Sequence, residues 1–274
     1  MSRRTPIALI AASALAAAPF LASSAVVSSP SAAAAPTSTV INSVQASSLN
    51  CGSTVLAPFA QTQGGASDPV CANDTWIYDL PAQSNPSTTR RTETHWGTSR
   101  GVTQYREGQT VTHEATYTGQ LGPAGQDDAN WHVIWQLHGP MKDGSWPGPA
   151  MTLAVRNGQL RLGGGAGHPN QDWSRQNYEW LAPLTTWTDG KPVKVKVQTY
   201  LSADPAKGWV SAWVDGRQVL TQWRPTSLKG GLRPGTLYPG MDHVVSRGGL
   251  YRGTQSGAAP TYRQVISARV PQAG

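Results

Sequence analysis

Gln136 and His138 stand two residues apart in Trp131-His132-Val133-Ile134-Trp135-Gln136-Leu137-His138. In an extended chain alternate side chains share a face, so an amide and an imidazole project together. The upstream segment Thr88–Trp96 repeats the pattern, with Thr89, Arg91, Glu93 and His95 on one face. Near the C-terminus, Ser246-Arg247-Gly248-Gly249-Leu250-Tyr251-Arg252-Gly253 sets a Tyr and an Arg among glycines. Brought together, Arg, Gln, His and Tyr suit removal of a proton from carbon next to a carboxylate. The existing negative charge resists a second one. Arg or Gln must therefore neutralise the carboxylate and stabilise the enolate-like transition state. A His or Tyr must accept the proton, and one of them must protonate the departing oxygen. In a sugar acid this is β-elimination across C4 and C5, and it requires no metal.

Such residues need rigid elements to hold them, and the chain reads as all-β. Short segments rich in β-branched and aromatic residues recur, bounded by Gly, Pro, Asn and Asp. They are Thr88–Trp96, Val111–Thr118, His132–His138, Met151–Arg156, Gln159–Leu162, Val193–Leu201, Trp209–Asp215, Gln218–Thr221 and Tyr262–Val270. Asn157-Gly158 and Asp215-Gly216 suit type I′ hairpins. Val193-Lys194-Val195-Lys196-Val197 alternates without a break, and Gly163-Gly164-Gly165 reads as a loop. Many short strands with Gly-rich turns imply a sandwich or jelly roll. In the leading segment, alternation places Trp131, Val133, Trp135 and Leu137 against the core. Of the 11 Trp, Trp209 and Trp213 are also expected inside. Trp146 and Trp173 fall in loops and suit stacking on sugar rings.

The N-terminus begins Met1-Ser2-Arg3-Arg4, continues apolar from Ile7 to Leu21 and ends in Ala32-Ala33-Ala34-Ala35. That is the form of a secretory signal peptide over residues 1–34, too short to span a membrane. Residues 35–48 read as a flexible tail and 49–271 as one domain. Cys51 and Cys71 are the two cysteines; in a secreted chain they are expected to form one disulfide, stabilising by about 3 kcal/mol. The chain carries 22 Lys+Arg against 15 Asp+Glu, and Arg3 and Arg4 do not account for the excess. A basic extracellular protein favours polyanions.

Gln136-Leu137-His138 resembles the Gln-x-His strand of jelly-roll polysaccharide lyases, a group spanning alginate, glucuronan and heparinase-type enzymes. Arg91-Thr92-Glu93 is similar to their Arg-x-Glu strand, and Gly248-Gly249-Leu250-Tyr251-Arg252 to their C-terminal Gly-x-Tyr strand, in the same order. The resemblance covers most of Thr88 to Val270. It implies a single-domain β-jelly roll, a concanavalin-like sandwich with a concave substrate-binding sheet. It also implies a carbon–oxygen lyase acting on uronate-containing polysaccharide. By carry-over, Arg91 and Gln136 would neutralise the carboxylate, His138 would be the base and Tyr251 the acid or acid/base. Glu93, as the orienting partner of Arg91, joins Trp146 and Arg252 in the expected substrate-binding set. Lys194, Lys196 and Tyr200 share one strand face and are also expected there, although that face reads equally as a solvated outer sheet.

Two departures bear on substrate. Thr94-His95 stands where alginate enzymes usually place another Arg, and Val245-Ser246-Arg247-Gly248 lacks their aromatic lead-in. His95, His113, His132 and His168 are expected in supporting, structural or exposed positions. No metal is expected at the site, although calcium could support a loop, and the partner is an acidic polysaccharide rather than nucleic acid or membrane, met by a monomer. The competing reading is a non-catalytic, lectin-like binding sandwich. A sandwich glycoside hydrolase would need paired carboxylates at a fixed separation, and Glu-x-Asp-x-x-Glu does not occur.

Overall fold

The computed structural model describes residues 42–44, 49–51, 55–72, 75–84, 89–98, 101–121, 131–253 and 261–273. The expected signal peptide and Thr88 lie outside the described residues. Among the described residues eighteen strands run in chain order. The first nine are β1 (Asn42–Val44), β2 (Leu49–Cys51), β3 (Val55–Gln63), β4 (Val70–Ala72), β5 (Thr75–Leu80), β6 (Arg90–Thr98), β7 (Gly101–Val102), β8 (Gln104–Tyr105) and β9 (Thr110–Gln120). The rest are β10 (Trp131–His138), β11 (Met151–Arg156), β12 (Gln159–Gly164), β13 (Trp180–Thr186), β14 (Val193–Tyr200), β15 (Trp209–Val214), β16 (Arg217–Trp223), β17 (Val244–Arg252) and β18 (Tyr262–Ala273).

Two antiparallel sheets form a sandwich of jelly-roll architecture. The front sheet runs β1-β3-β6-β17-β10-β11-β12-β13, and the back sheet β16-β15-β14-β9-β18-β5-β4. Their inner faces share one apolar core. Trp96, Ile134, Trp135, Leu137, Leu153, Leu162 and Leu250 meet Trp76, Tyr78, Tyr117, Val195, Val197 and Ala212 there. His113 also lies within it, stacked on Trp135 at 4.5 Å and on Trp96 at 5.1 Å.

Both hairpins form as expected, with Asn157 and Gly158 at φ of 52° and 67° and Asp215 and Gly216 at 49° and 82°. Among the strands outside the expected set are β3, β5 and β13. β3 contains Pro58 and β13 contains Pro183, which argue against strand when read locally. Each proline sits where the ladder slips register, so its missing N–H costs no regular bond. β5 is short but buries Trp76, Tyr78 and Leu80 in alternation. Gly163 and Gly164 belong to β12 rather than to a loop. Within residues 35–48, Asn42–Val44 pairs with β3 as a strand.

The alternation expected for β10 holds only in part. Its pairing with β11 and with β17 slips between Val133 and Trp135. That β-bulge places both Ile134 and Trp135 in the core. Trp131 and Val133 therefore face outward and line a groove, whereas His132 turns inward beside Tyr262 at 4.8 Å. Beyond the bulge, Gln136 and His138 face out and Leu137 faces in.

Candidate active site

The outer face of the front sheet gathers polar groups along two rows that cross the strands. Register aligns His95, Arg247, Gln136 and Thr152 on β6, β17, β10 and β11. A second row aligns Arg91, Tyr251, Val133, Ala154 and Arg161. Between the rows, Glu93 stands opposite Gly249. Gly249 has φ of 147°, and a Cβ there would lie 2.2 Å from the Thr92 carbonyl oxygen, so the position takes no side chain.

Over this gap the Gln136 amide Nε2 donates to Glu93 Oε1 at 2.5 Å, linking β10 to β6 across β17. Glu93 Oε2 also pairs with Arg91 Nε at 3.3 Å. Glu93 and Gln136 are both fully buried, so the carboxylate orients its neighbours from beneath rather than meeting a ligand. Gln61 Oε1 accepts from Arg91 Nη1 at 3.3 Å and Arg247 Nη1 at 3.4 Å. Two guanidiniums thus converge with one carboxylate below them, leaving net positive charge.

His138 Nε2 lies 2.7 Å from the Pro147 carbonyl oxygen. A carbonyl only accepts, so Nε2 carries the proton and Nδ1 keeps its lone pair. Nδ1 is buried and makes no hydrogen bond. Burial, reinforced by the Arg247 charge, lowers the imidazole to about 3, and the Pro147 bond only partly opposes this. His95 is held to about 2 by burial, then by Arg247, Arg91 and His138. Arg247 is itself pulled down to about 10, chiefly by burial, with the Glu93 carboxylate offsetting part of the loss. At neutral pH the cluster is two neutral imidazoles around a charged guanidinium.

Trp146, 57% exposed, covers this end. Its ring meets His138 edge-on at 5.3 Å and faces the Arg247 guanidinium at 5.5 Å. The turn carrying it is pinned by Met141 N–H to the Ser145 carbonyl and by Lys142 N–H to the Gly240 carbonyl.

Tyr251 lies elsewhere on the same face. His138 stands beside Val245, six residues from Tyr251 along β17, or about 20 Å between Cα positions. The structure therefore does not bring Tyr251 and His138 to one reacting centre. Tyr251 instead lies under the Arg91 guanidinium at 3.9 Å and against the edge of Trp131 at 4.9 Å. With Trp131 it opens an adjoining groove of ≈ 410 Å³.

Four expected contacts are elsewhere. Arg252 follows Tyr251 on its strand and so points the opposite way, buried against Tyr262 and bonded to His132. Lys194, Lys196 and Tyr200 lie on β14 in the back sheet. Lys194 pairs with Glu114 at 2.6 Å, Lys196 lies over Trp213 at 5.0 Å and Tyr200 stacks on Trp209 at 6.4 Å. Trp209 and Trp213 accordingly face outward, not into the core. His168 is structural, stacked on Tyr178 at 3.7 Å.

Arg247, His95 and Gln61 were not in the expected site set. Arg247 had a readable signal, standing four residues before Tyr251 and thus on its face. His95 shares the face of Arg91 and Glu93, which is the signal that marks it. Gln61 carries no such signal, because Pro58 argues against a strand there when read locally.

A family model described as polysaccharide lyase matches residues 61–266. No curated protein matches the sequence. Among solved structures, an endo-β-1,4-glucuronan lyase from the fungus Trichoderma reesei is similar at 16% identity and a TM-score of 0.50, over 81% of this chain and 91% of that one. The marine alginate lyase AlyA1 from Zobellia galactanivorans matches at 14% identity and a TM-score of 0.46, over 73% and 77%. Alginate lyase AlgAT5 matches at 14% identity and 0.46, over 74% and 79%.

Proposed function

The chain belongs to the polysaccharide lyase family, and from that premise we propose that it cleaves a uronate-containing polysaccharide by β-elimination at the His138–Arg247 end of the front sheet. The observation that carries the reading is the neutral His138, whose Nδ1 lone pair is unused, beside the charged Arg247. Arg247 and Arg91 neutralise the uronate carboxylate, so that charge developing on the enolate is met by fixed donors. The buried amide of Gln136 donates to Glu93 and holds the Glu93 carboxylate in place beneath the two guanidiniums. His138 Nδ1 takes the C5 proton, the C5–H electrons form the C4=C5 double bond, and the C4–O4 bond breaks. The imidazolium then returns its proton to O4, so no separate acid is required. For the sugar to reach Nδ1, the edge of Trp146 must give way.

In this reading Tyr251, with Trp131, holds a neighbouring sugar and takes no part in proton transfer. The substrate is a glucuronan- or alginate-like polymer, as cleaved by the similar structures. Export from the cell rests on Arg3-Arg4 followed by the apolar, Ala-rich run. A Cys51–Cys71 bridge fits that setting. It is supported by β2, which ends in Cys51, packing on β4, which holds Cys71, and by the lack of a free thiol at Cys71.

The test is incubation with glucuronan, alginate, heparin and hyaluronan while following ultraviolet absorbance of the unsaturated product. At least one uronan is expected to yield it. If none does, the proposed reaction is wrong.

A further inference from the structure

We propose that Arg161, with Arg156 beside it, holds the carboxylate of a second uronate of the same polymer. This rests on the uronate-lyase reading above and adds a second carboxylate subsite to it. The row Arg91-Tyr251-Val133-Ala154-Arg161 crosses five adjacent strands without a break in register. Arg161 is therefore three strand spacings from Tyr251, about 14 Å, which is farther than one sugar ring reaches. A polymer lying along the row passes from Arg91 over Tyr251 and Trp131 to Arg161.

The groove is built for that passage. Trp131, Trp173 and Tyr251 supply aromatic surface along it, and Arg156 and Arg161 supply charge. Arg161 Nη2 is buried with no hydrogen-bond partner, a costly state for a guanidinium that a carboxylate would relieve. Glu179 is the one carboxylate among the groove residues, set against two guanidiniums. Those like charges depress Arg161, after burial, and Glu179 only partly compensates. A carboxylate matches the planar donor fork in a way that a hydroxyl does not.

Calorimetric titration of the full chain carrying His138→Ala, so that ligand is not consumed, tests the proposal. The probes are tetramers of glucuronate and of mannuronate, and the same tetramers with their carboxyls reduced to alcohols. Adding Arg161→Gln is expected to weaken the better-bound acidic tetramer about tenfold. Binding of its reduced form should not change, and Arg161→Lys should recover part of the loss. Equal binding of the acidic tetramer with and without Arg161→Gln overturns the proposal. So does an equal loss for acidic and reduced forms, or no binding by the parent. Should Arg161→Gln not fold, Arg156→Gln is expected to show the same carboxylate-selective loss, and its absence is equally decisive. The ultraviolet assay on the unsubstituted chain separates the two ideas. Carboxylate-selective binding without any product sinks the reaction and leaves the subsite standing.

Discussion

β10 and β14 both alternate in sequence, both carry cations or imidazoles beside aromatics, and they do opposite things. In β14 the period is perfect. Val193, Val195, Val197 and Thr199 are buried, and Lys194 and Lys196 face out. Its charges are satisfied locally, by Glu114 for Lys194 and the Trp213 ring for Lys196. Such exposed pairs contribute at most about 1 kcal/mol. In β10 the period breaks at Ile134, and beyond the break the polar side chains are themselves buried. Gln136 is fully enclosed, and His138 is kept neutral by burial and by Arg247. A regular amphipathic strand marks a solvated face. Chemistry collects where polar groups are desolvated and must be held by one another.

That contrast can be broken most directly at the proton acceptor. His138→Ala is expected to lower kcat by at least about 100-fold without unfolding the chain, whereas Tyr251→Phe keeps kcat within about tenfold and acts mainly on KM. Steady-state kinetics on the cleaved uronan decides it. Equal loss in both variants would move the reaction to the Tyr251 end.

Acid sharpens the contrast next. His95, His113, His132 and His138 are all depressed in the folded chain, to about 2, about 3 and about 3 for His95, His113 and His138 and well below the usual value for His132. Below about pH 6.5 the unfolded chain binds protons that the folded chain refuses. Stability is therefore intact above that pH and falls as pH drops through it, by up to about 1.4 kcal/mol per pH unit for each histidine. Thermal melts from about pH 7.5 down to pH 4 should show Tm falling from near pH 6.5. A flat Tm down to pH 5 would mean that these imidazoles are not held neutral. The smallest effect belongs to β14. Lys194→Ala with Lys196→Ala should change kcat/KM less than twofold at moderate ionic strength. A tenfold loss would return the back sheet to the substrate path.

Much of the fold was legible because its signals are local. Val193–Val197 and the Asn157-Gly158 and Asp215-Gly216 turns need no tertiary information. β3 and β13 were hidden because Pro58 and Pro183 sit at register slips, which only a neighbouring strand reveals. Site residues divided in the same way. Gln136 and His138 share a face by period, and that much can be read from the chain. Which sheet a strand joins cannot, so Lys194, Lys196 and Tyr200 read equally as a groove lining and as a solvated outer face. Arg252 is a different lesson: adjacent to Tyr251 on one strand, it could not have shared that face. Arg247 met the same rule from the other side, two steps from Gly249 and four from Tyr251. The meeting of Glu93 and Gln136 over Gly249 depends on three strands in register and has no signature in any one of them.

The extra residue at Ile134 makes β10 a strand of two parities. Odd-numbered positions before it and even-numbered positions after it face the cleft. Losing Ile134 would set Trp135 directly after Val133, inward after outward, so Gln136 and His138 would keep the cleft face in a regular strand. A residue inserted between Gln136 and Leu137 would instead turn Leu137 toward solvent and carry His138 into the space between the sheets. The strand can give up its irregular residue without moving the site, but it cannot gain one in the regular stretch beyond.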